Sequence, residues 1–385
     1  MKVEARPVWH GGPGQTRRRP VLCSRMNSYT TVRTETASTF ARAIQAFDRT
    51  TPVWILGHND ADGLSATALF TRAFGAAGWT VRTRIVGRGE SPWSGAMRME
   101  LANEPAGGVV ITDLGVRDAL PKPGVPTVVV DHHLPGTPPA GATVISGHGQ
   151  NPIPTSSLLA FWCAGALAEA EPWLWLAAVG LIGDMAEKAG FPEMEAARRF
   201  GVTALRDVAA MVNAPRRSAS GDAAPALALL MAADGPKDVL SGERPEAASV
   251  LAARAEVKRE LEAARRVGPV VRGEVALIRF ASPTQIHPLI AQQWRGRLRD
   301  KIVMAANTGY RPGWVHFAVR SGKDRDLVGF LAEHRPPGAD EMYGSGHRQA
   351  TGGALRPADW NAFITGLGFG AEATVPDATT PEIAA

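Results

Sequence analysis

The sequence predicts an α/β protein with a doubly wound, mainly parallel sheet and, after a helical connector, a second, smaller α/β domain. Two observations predict the first domain: apolar, β-branched runs end in charged residues, and helical segments alternate with those runs. A third observation predicts the second domain, because strand signals restart after a long amphipathic segment. The length of 385 residues fits two domains better than one.

Five segments divide the chain. We assign residues 1–35 to a disordered extension, 36–240 to the first domain, 241–269 to a helical connector, 270–370 to the second domain and 371–385 to a mobile tail. The extension holds three consecutive arginines without the apolar core of a signal peptide, and a nucleic-acid-binding arm is its alternative interpretation. The tail is rich in alanine, threonine, proline and glutamate, as mobile chain ends often are.

Strands and helices are predicted in turn along the chain. In the first domain, strands are expected at residues 53–58, 81–86, 108–113 and 127–133. A helix that ends on glycine is expected at 63–78, alanine-rich helices at 156–211, and a loop at 213–225. The connector helix is expected at 246–267, and the strands of the second domain at 273–280, 302–307 and 315–321.

The composition is that of an ordinary globular protein. Hydrophobic residues make up 45% and charged residues 21%. Cys23 and Cys163 make neither a disulfide framework nor a zinc site, so we expect a protein of the reducing cytoplasm. The longest apolar run, residues 173–183, is too short to cross a bilayer, and no membrane partner is expected. A net charge of +5 permits a polyanionic partner without arguing for one.

Charged side chains follow three of the predicted strands and one apolar helix, at the sheet edge where doubly wound proteins bind ligands. They are His58, Asp60, Asp62, Asp113, Asp131, His132, His133 and, after the helix, Asp184. Two like charges as close as Asp60 and Asp62 need a cation nearby. Carboxylates and imidazoles without thiolates favour Mn²⁺ or Mg²⁺. One ion cannot use so many ligands, so we expect two ions about 3.5–4 Å apart, an arrangement that serves hydrolysis at phosphorus.

The motifs HNDADG, ITDLG, DHH and GD, in this order, resemble the four motifs of the DHH phosphoesterase superfamily. The stretch YGSGHRQATGG near the C-terminus is similar to the glycine-rich motif of the DHHA1 domain. The resemblance covers roughly residues 51–368. It implies a site with two divalent ions, with Mn²⁺ favoured and Mg²⁺ as the alternative.

The resemblance also implies a role for each motif residue. The implied metal ligands are His58, Asp60, Asp62, Asp113, His132 and Asp184, with Asp113 as the bridging carboxylate. The implied catalytic residues are Asp113, His133, which would face the substrate phosphate, and Asp131, which would orient a histidine. In the DHHA1 part, the implied substrate-binding residues are Asn307, Arg320, Gly344, Gly346 and His347.

The spacing H-x-D-x-D-G is similar to that of the RecJ-like branch of the superfamily. That branch implies a manganese-dependent exonuclease, with a role in DNA repair, which hydrolyses single-stranded DNA, RNA or short oligonucleotides with a metal-activated water. A hydrolase of small nucleotides (an oligoribonucleotide, pAp or a cyclic dinucleotide) is the first alternative. A non-catalytic nucleic-acid-binding relative is the second. The sequence leaves open DNA against RNA, the polarity of cleavage and the oligomeric state.

Overall fold

The computed structural model describes residues 19–340, 343, 344 and 346–376. The strands are β1 (Val53–Gly57), β2 (Val81–Ile85), β3 (Gly108–Thr112), β4 (Thr127–Asp131), β5 (Ala142–Ser146), β6 (Val270–Arg272), β7 (Val275–Phe280), β8 (Ile302–Arg311), β9 (Trp314–Ser321), β10 (Gly346–His347) and β11 (Ala350–Leu355). The helices of the first half are α1 (Arg19–Ala43), α2 (Ala61–Ala76), α3 (Gly95–Ala102), α4 (Ser156–Ala164), α5 (Leu174–Gly183), α6 (Pro192–Ala196) and α7 (Val202–Val212). The remaining helices are α8 (Ala214–Arg217), α9 (Ala224–Ala232), α10 (Pro236–Ser241), α11 (Ala247–Ala264), α12 (His287–Arg297), α13 (Leu327–Glu333) and α14 (Pro357–Gly366).

The first domain is built on a parallel sheet of five strands in the order β2-β1-β3-β4-β5. The central strands β3 and β4 are buried along their whole length, which explains their continuous apolar sequence. Helices α2, α4 and α5 join the larger hydrophobic core, while α3 contributes Met97 and Leu101 to a smaller core with Leu56 and Ile111. The prediction of a doubly wound parallel sheet is confirmed.

The second domain has a mixed sheet of six strands in the order β10-β11-β9-β8-β7-β6, in which only β7 and β8 pair in parallel. Helices α13 and α14 pack through Leu331 and Trp360 into one core of this sheet. A separate core joins Ile290 of α12 to Val257 of α11 and Ala214 of α8. The prediction of a smaller α/β domain after a helical connector is also confirmed.

The predicted disordered extension is wrong for residues 19–35, because these residues belong to helix α1. Tyr29 and Val32 pack against the core of the first domain, and the Tyr29 hydroxyl donates a hydrogen bond to the buried carboxylate of Glu193. Trp162 Nε1 donates to the same carboxylate over 2.9 Å. The helix was missed because tertiary contacts to a distant acid hold it, while its own sequence lacks a strong apolar periodicity. Residues 1–18 lie outside the described residues.

Two further expectations need correction. The predicted loop at 213–225 contains the short helix α8 and the start of α9. The predicted mobile tail is wrong for residues 371–376, because Ala373 and Val375 are buried in the core of the second domain. Trp360 Nε1 donates to the Ala373 carbonyl over 3.0 Å, which fixes the chain there. Residues 377–385 lie outside the described range.

Among the helices that the structure describes, none has both the length and the apolar character that crossing a membrane requires.

Candidate metal centre

The strand order of the first sheet reverses between β1 and β3, and this reversal opens a crevice at the carboxyl ends of the strands. His58 follows β1, Asp113 follows β3, and His132 follows β4. The turns after these strands bring the three side chains together. Asp184 joins them from the C-terminal end of α5.

Asp113 lies at the centre of the cluster and is almost fully buried. Its Oδ2 lies 3.4 Å from His58 Nδ1, and its Oδ1 lies 3.5 Å from His132 Nε2. Its backbone adopts a φ of 63°, a left-handed conformation that is uncommon outside glycine and that concentrates at functional sites. Because the two oxygens face different histidines, Asp113 has the geometry of a carboxylate shared between two cations.

Among the residues that the structure describes, three overlapping groups of side chains bring possible ligand atoms within 4.8 Å of one another. The groups are His58, Asp60 and Asp113; Asp113, His132 and His133; and Asp62, His132 and Asp184. The buried ring nitrogens His58 Nδ1 and His132 Nε2 lie 3.1 Å from oxygens of Asp60 and Asp184, yet neither makes a hydrogen bond of good geometry. Unpaired nitrogens and crowded carboxylates that converge on shared points fit divalent cations, so these residues suit a two-ion site.

Asp62 lies in the first turn of α2, and its carboxylate is completely buried against the start of α4. Its oxygens accept hydrogen bonds from the backbone N–H groups of Ser156 over 2.8 Å and Ser157 over 3.0 Å. Burial raises its pKa well above the usual range, and the carboxylates of Asp113 and Asp184 raise it further. The helix terminus therefore holds Asp62 in place, while its ionised form needs additional positive charge.

The negative charge of the carboxylates also shifts the pKa values of the two histidines at the centre. Burial opposes protonation of His58 and His132, but the neighbouring carboxylates outweigh it. They raise the pKa of His58 to about 10 and the pKa of His132 to about 11. Without cations, the cluster therefore holds protons in their place, and metal binding at neutral pH would release them.

Asp131 holds His133 rather than joining the three groups. It accepts hydrogen bonds from the backbone N–H groups of Gly115 over 2.8 Å and of His133 over 2.7 Å. Its Oδ1 also lies 3.2 Å from His133 Nδ1, and this contact raises the pKa of His133. These contacts place Asp131 against His133, and the roles expected for Asp131 in catalysis and in orienting a histidine stay predictions. The side chain of His133 is half-exposed.

Two arginines that the sequence analysis missed lie beside this centre. Arg216 donates through Nε to Asn213 Oδ1 over 3.1 Å, and its Nη2 lies 3.9 Å from Asp60 Oδ2. Burial, with the charge of Arg216, lowers the pKa of Arg217 to about 9. The charges of Asp60 and of Arg320 in the second domain also act on Arg217, the first raising its pKa and the second lowering it. The adjacent arginines after a proline were the available signal, but the segment read as a loop.

The residues of the second domain that were predicted to bind substrate have different surroundings. Arg320 on β9 donates through Nη1 to the carbonyls of Val319 over 2.9 Å and of Thr351 over 3.2 Å. Gly346 has a φ of 129° and would bring a Cβ within 2.6 Å of the Ala350 carbonyl oxygen, so the turn needs glycine. Gly344 precedes it at a φ of 75°. The side chain of His347 lies outside the described part of the structure.

Asn307 is not placed to bind a substrate. Its side chain is fully buried, and its Oδ1 accepts from the backbone N–H groups of Ser282 over 2.9 Å and Gly309 over 3.1 Å. Its Nδ2 donates to the Thr284 carbonyl over 2.9 Å. The amide is used to fix the loop after β7, and the expected substrate role is corrected to a structural one.

Comparison with known proteins places these observations in context. No protein-family model matches the chain. The chain is similar to the single-stranded-DNA-specific exonuclease RecJ of Thermus thermophilus, at 29% identity over 347 residues, which is 80% of this chain and 50% of that protein. The chain therefore spans about half the length of this curated relative.

Two solved structures resemble this chain over most of its length. A crystal structure of exonuclease RecJ bound to manganese matches with a TM-score of 0.62 and 22% identity, over 86% of this chain and 93% of that one. The DHH domain of a member of the s1p family of ribosomal proteins matches with a TM-score of 0.60 and 16% identity, over 89% and 91%. The chain has the fold of the RecJ-like DHH/DHHA1 proteins, as the motifs indicated.

Proposed function

We propose that this chain, with its RecJ-like DHH/DHHA1 fold, is a manganese-dependent phosphodiesterase that shortens single-stranded nucleic acid from an end. The observation that carries the proposal is Asp113, whose two oxygens face two different groups of ligand atoms. The relative's name supports a nuclease, and the manganese bound to the matched RecJ structure supports the choice of ion. Residues 36–240 would then be the catalytic domain and 270–370 the substrate-binding domain.

The metal centre would use His58, Asp60, Asp62, Asp113, His132 and Asp184 as ligands, with Mn²⁺ favoured over Mg²⁺ by the two imidazoles. Two divalent cations bound there would supply a water of lowered pKa and would neutralise charge on the phosphoryl oxygens. Side chains of His58 and His133 are 34% and 46% exposed, whereas Asp113 is buried, so substrate reaches the centre from the histidine side.

The other residues of the chain would bind and orient the substrate. Arg216, which lies near Asp60, and Arg217 and Arg320, whose charges interact, would supply positive charge for phosphate oxygens. The glycines at 344 and 346, which lack side chains, would let the backbone of this turn lie close to an anion. His133, held through Nδ1 by Asp131, can donate a proton from Nε2 to the leaving oxygen. Cys163, a buried free thiol, accords with a cytoplasmic protein.

Hydrolysis of single-stranded DNA, RNA and dinucleotides that carry an internal label, with Mn²⁺ present, tests the proposal. We expect progressive shortening of long strands, abolished by Asp113→Asn and retained by Asp118→Asn, an exposed aspartate five positions along the chain. Cleavage of dinucleotides alone would replace the exonuclease with a small-nucleotide hydrolase. Binding of nucleic acid without any cleavage would contradict the enzyme and leave a binding protein.

A further inference from the structure

Two exposed apolar side chains border the metal centre. Leu134, directly after His133, is 75% exposed, and Met185, directly after Asp184, is 82% exposed. The segments that carry them meet at the centre, where His132 Nε2 lies 3.1 Å from Asp184 Oδ2. A single exposed apolar residue needs no explanation, but a pair at the mouth of a site built from charged side chains does.

Met185 also occupies a backbone position that favours glycine. At the end of α5, the Met185 N–H donates to the Ile182 carbonyl over 3.1 Å, and the Ala186 N–H donates to the Leu181 carbonyl over 2.8 Å. These two bonds define a Schellman motif in which Met185, at a φ of 59°, holds the left-handed position. Glycine would make the same turn with less strain and would leave Asp184 where it is.

The strain at Met185 is therefore not explained by the position of the metal ligand. It is not offset by burial either, because the side chain is 82% exposed. Among the residues that the structure describes, Met185 and Asp113 are the two non-glycine residues with positive φ, and both border the metal centre. Backbone strain of this kind is concentrated at active sites and at positions that contact a ligand.

The chemistry of the surroundings indicates what the two side chains contact. In the proposed function a phosphate binds at the metal centre, and the base of the same nucleotide lies outside the charged ligands. A base in a duplex is stacked and paired, whereas an unpaired base presents a free flat face. The polarisable thioether of Met185 and the branched alkyl group of Leu134 suit such a face.

We propose that Leu134 and Met185 form an apolar platform for the unpaired base next to the scissile phosphate. The inference rests on the proposed function and adds a base subsite to it. Loss of either side chain removes apolar contact area that matters only when a base is present.

The test uses the full chain and three variants. Met185→Gly and Leu134→Ser remove the platform, and Met99→Ser changes an equally exposed methionine on α3, at 74%, as the matched control. Each is assayed on a single-stranded oligothymidylate and on the same strand with abasic residues at its terminal positions. Binding of the labelled strand with Ca²⁺, followed by fluorescence anisotropy, provides a readout that does not need turnover.

We expect kcat/KM and binding to fall about tenfold for each platform variant on the normal strand. The abasic strand should already be weak for the wild type, with little further loss in the variants. Met185→Gly should also raise the melting temperature by about 2 °C, because it relieves the turn. The control should match the wild type.

Equal losses on normal and abasic strands, or no loss in turnover and binding, would overturn the platform. A wild type that cleaves normally beside unaffected variants would overturn the platform alone. A wild type that neither cleaves nor binds the strand would overturn the proposed function as well.

Discussion

Gly180 on α5 gives the sharpest test of how the metal centre is packed. A Cβ built on Gly180 would lie 2.0 Å from Ser157 Oγ and 2.5 Å from Asp62 Oδ1. Both atoms are fully buried, and Asp62 is held by two backbone N–H groups at the start of α4. Gly180→Ala must therefore displace the buried Ser157 side chain, the buried Asp62 carboxylate or both.

The magnitude follows from two opposing effects. Alanine in place of glycine in a helix normally stabilises by about 0.5–1 kcal/mol. Here the contacts at Gly180 are about 1 Å too short, and overpacking of this kind costs about 1–3 kcal/mol. Displaced Asp62 would also lose hydrogen bonds to its charged form. We expect a net loss of about 1–2 kcal/mol in the free energy of unfolding, and Mn²⁺ affinity about 10–100-fold weaker.

Gly75, near the end of α2, is the matched control, because a Cβ there would meet nothing within 4 Å. Gly75→Ala should hold or raise stability and leave Mn²⁺ binding unchanged. Calorimetric titration with Mn²⁺ and chemical denaturation of the metal-free protein measure the two quantities separately. If Gly180→Ala bound Mn²⁺ like the wild type and were as stable as Gly75→Ala, Asp62 would not be a ligand fixed by this packing.

Three other predictions concern residues around the two domains. Ser156→Ala removes the 3.0 Å hydrogen bond from Ser156 Oγ to Asp113 Oδ1 and should weaken Mn²⁺ binding about tenfold by titration; unchanged affinity would contradict an orienting role. Glu193→Ala leaves buried donors unpaired and should lower the free energy of unfolding by about 2 kcal/mol. Glu195→Ala, at an exposed position, should change it by less than about 0.5 kcal/mol. Equal effects of the two substitutions in chemical denaturation would refute a role of buried Glu193 in holding α1. Burial, with positive neighbours, lowers the pKa of His287 to about 3, below its unfolded value of about 6.5. The unfolded chain then binds more protons between those values, so His287 contributes stability above about pH 6.5 that is lost as pH falls toward 3. His287→Gln should flatten the decline of melting temperature between pH 7 and pH 5, and an unchanged decline would exclude His287 as a cause.

The central strands and the clustering of the candidate metal ligands could be predicted because both rest on short-range sequence signals. Strands β3 and β4 are buried on both faces and therefore read as unbroken apolar runs. The parallel topology then places the charged residues after those runs at one edge. This rule alone predicted that His58 and Asp113 lie close together, although they are more than fifty residues apart in the sequence.

Other features depend on contacts that no local pattern announces. The glycine-rich β11 forms because Gly352 lets the backbone approach β9, where a Cβ would lie 2.3 Å from the Phe317 carbonyl oxygen. Helix α1 depends on Glu193, more than a hundred residues away. Arg216 lies on α8, a helix of a single turn whose position is set by packing against the second domain. Asn307 was misassigned because a polar residue at a strand end serves a loop as readily as a ligand.

Helix α11 divides its buried face between the two cores. Ala247 and Val250 belong to the core of the first domain, while Val257 and Ala264 belong to a core of the second. A helix of 18 residues is too short to let its two ends melt independently while either core stays intact. The two domains should therefore unfold in one cooperative calorimetric transition, and a fragment that ends before α11 should not fold alone. Two resolved transitions would show instead that the halves of α11 are independent, and the chain would then be two folding units joined by a spacer rather than one.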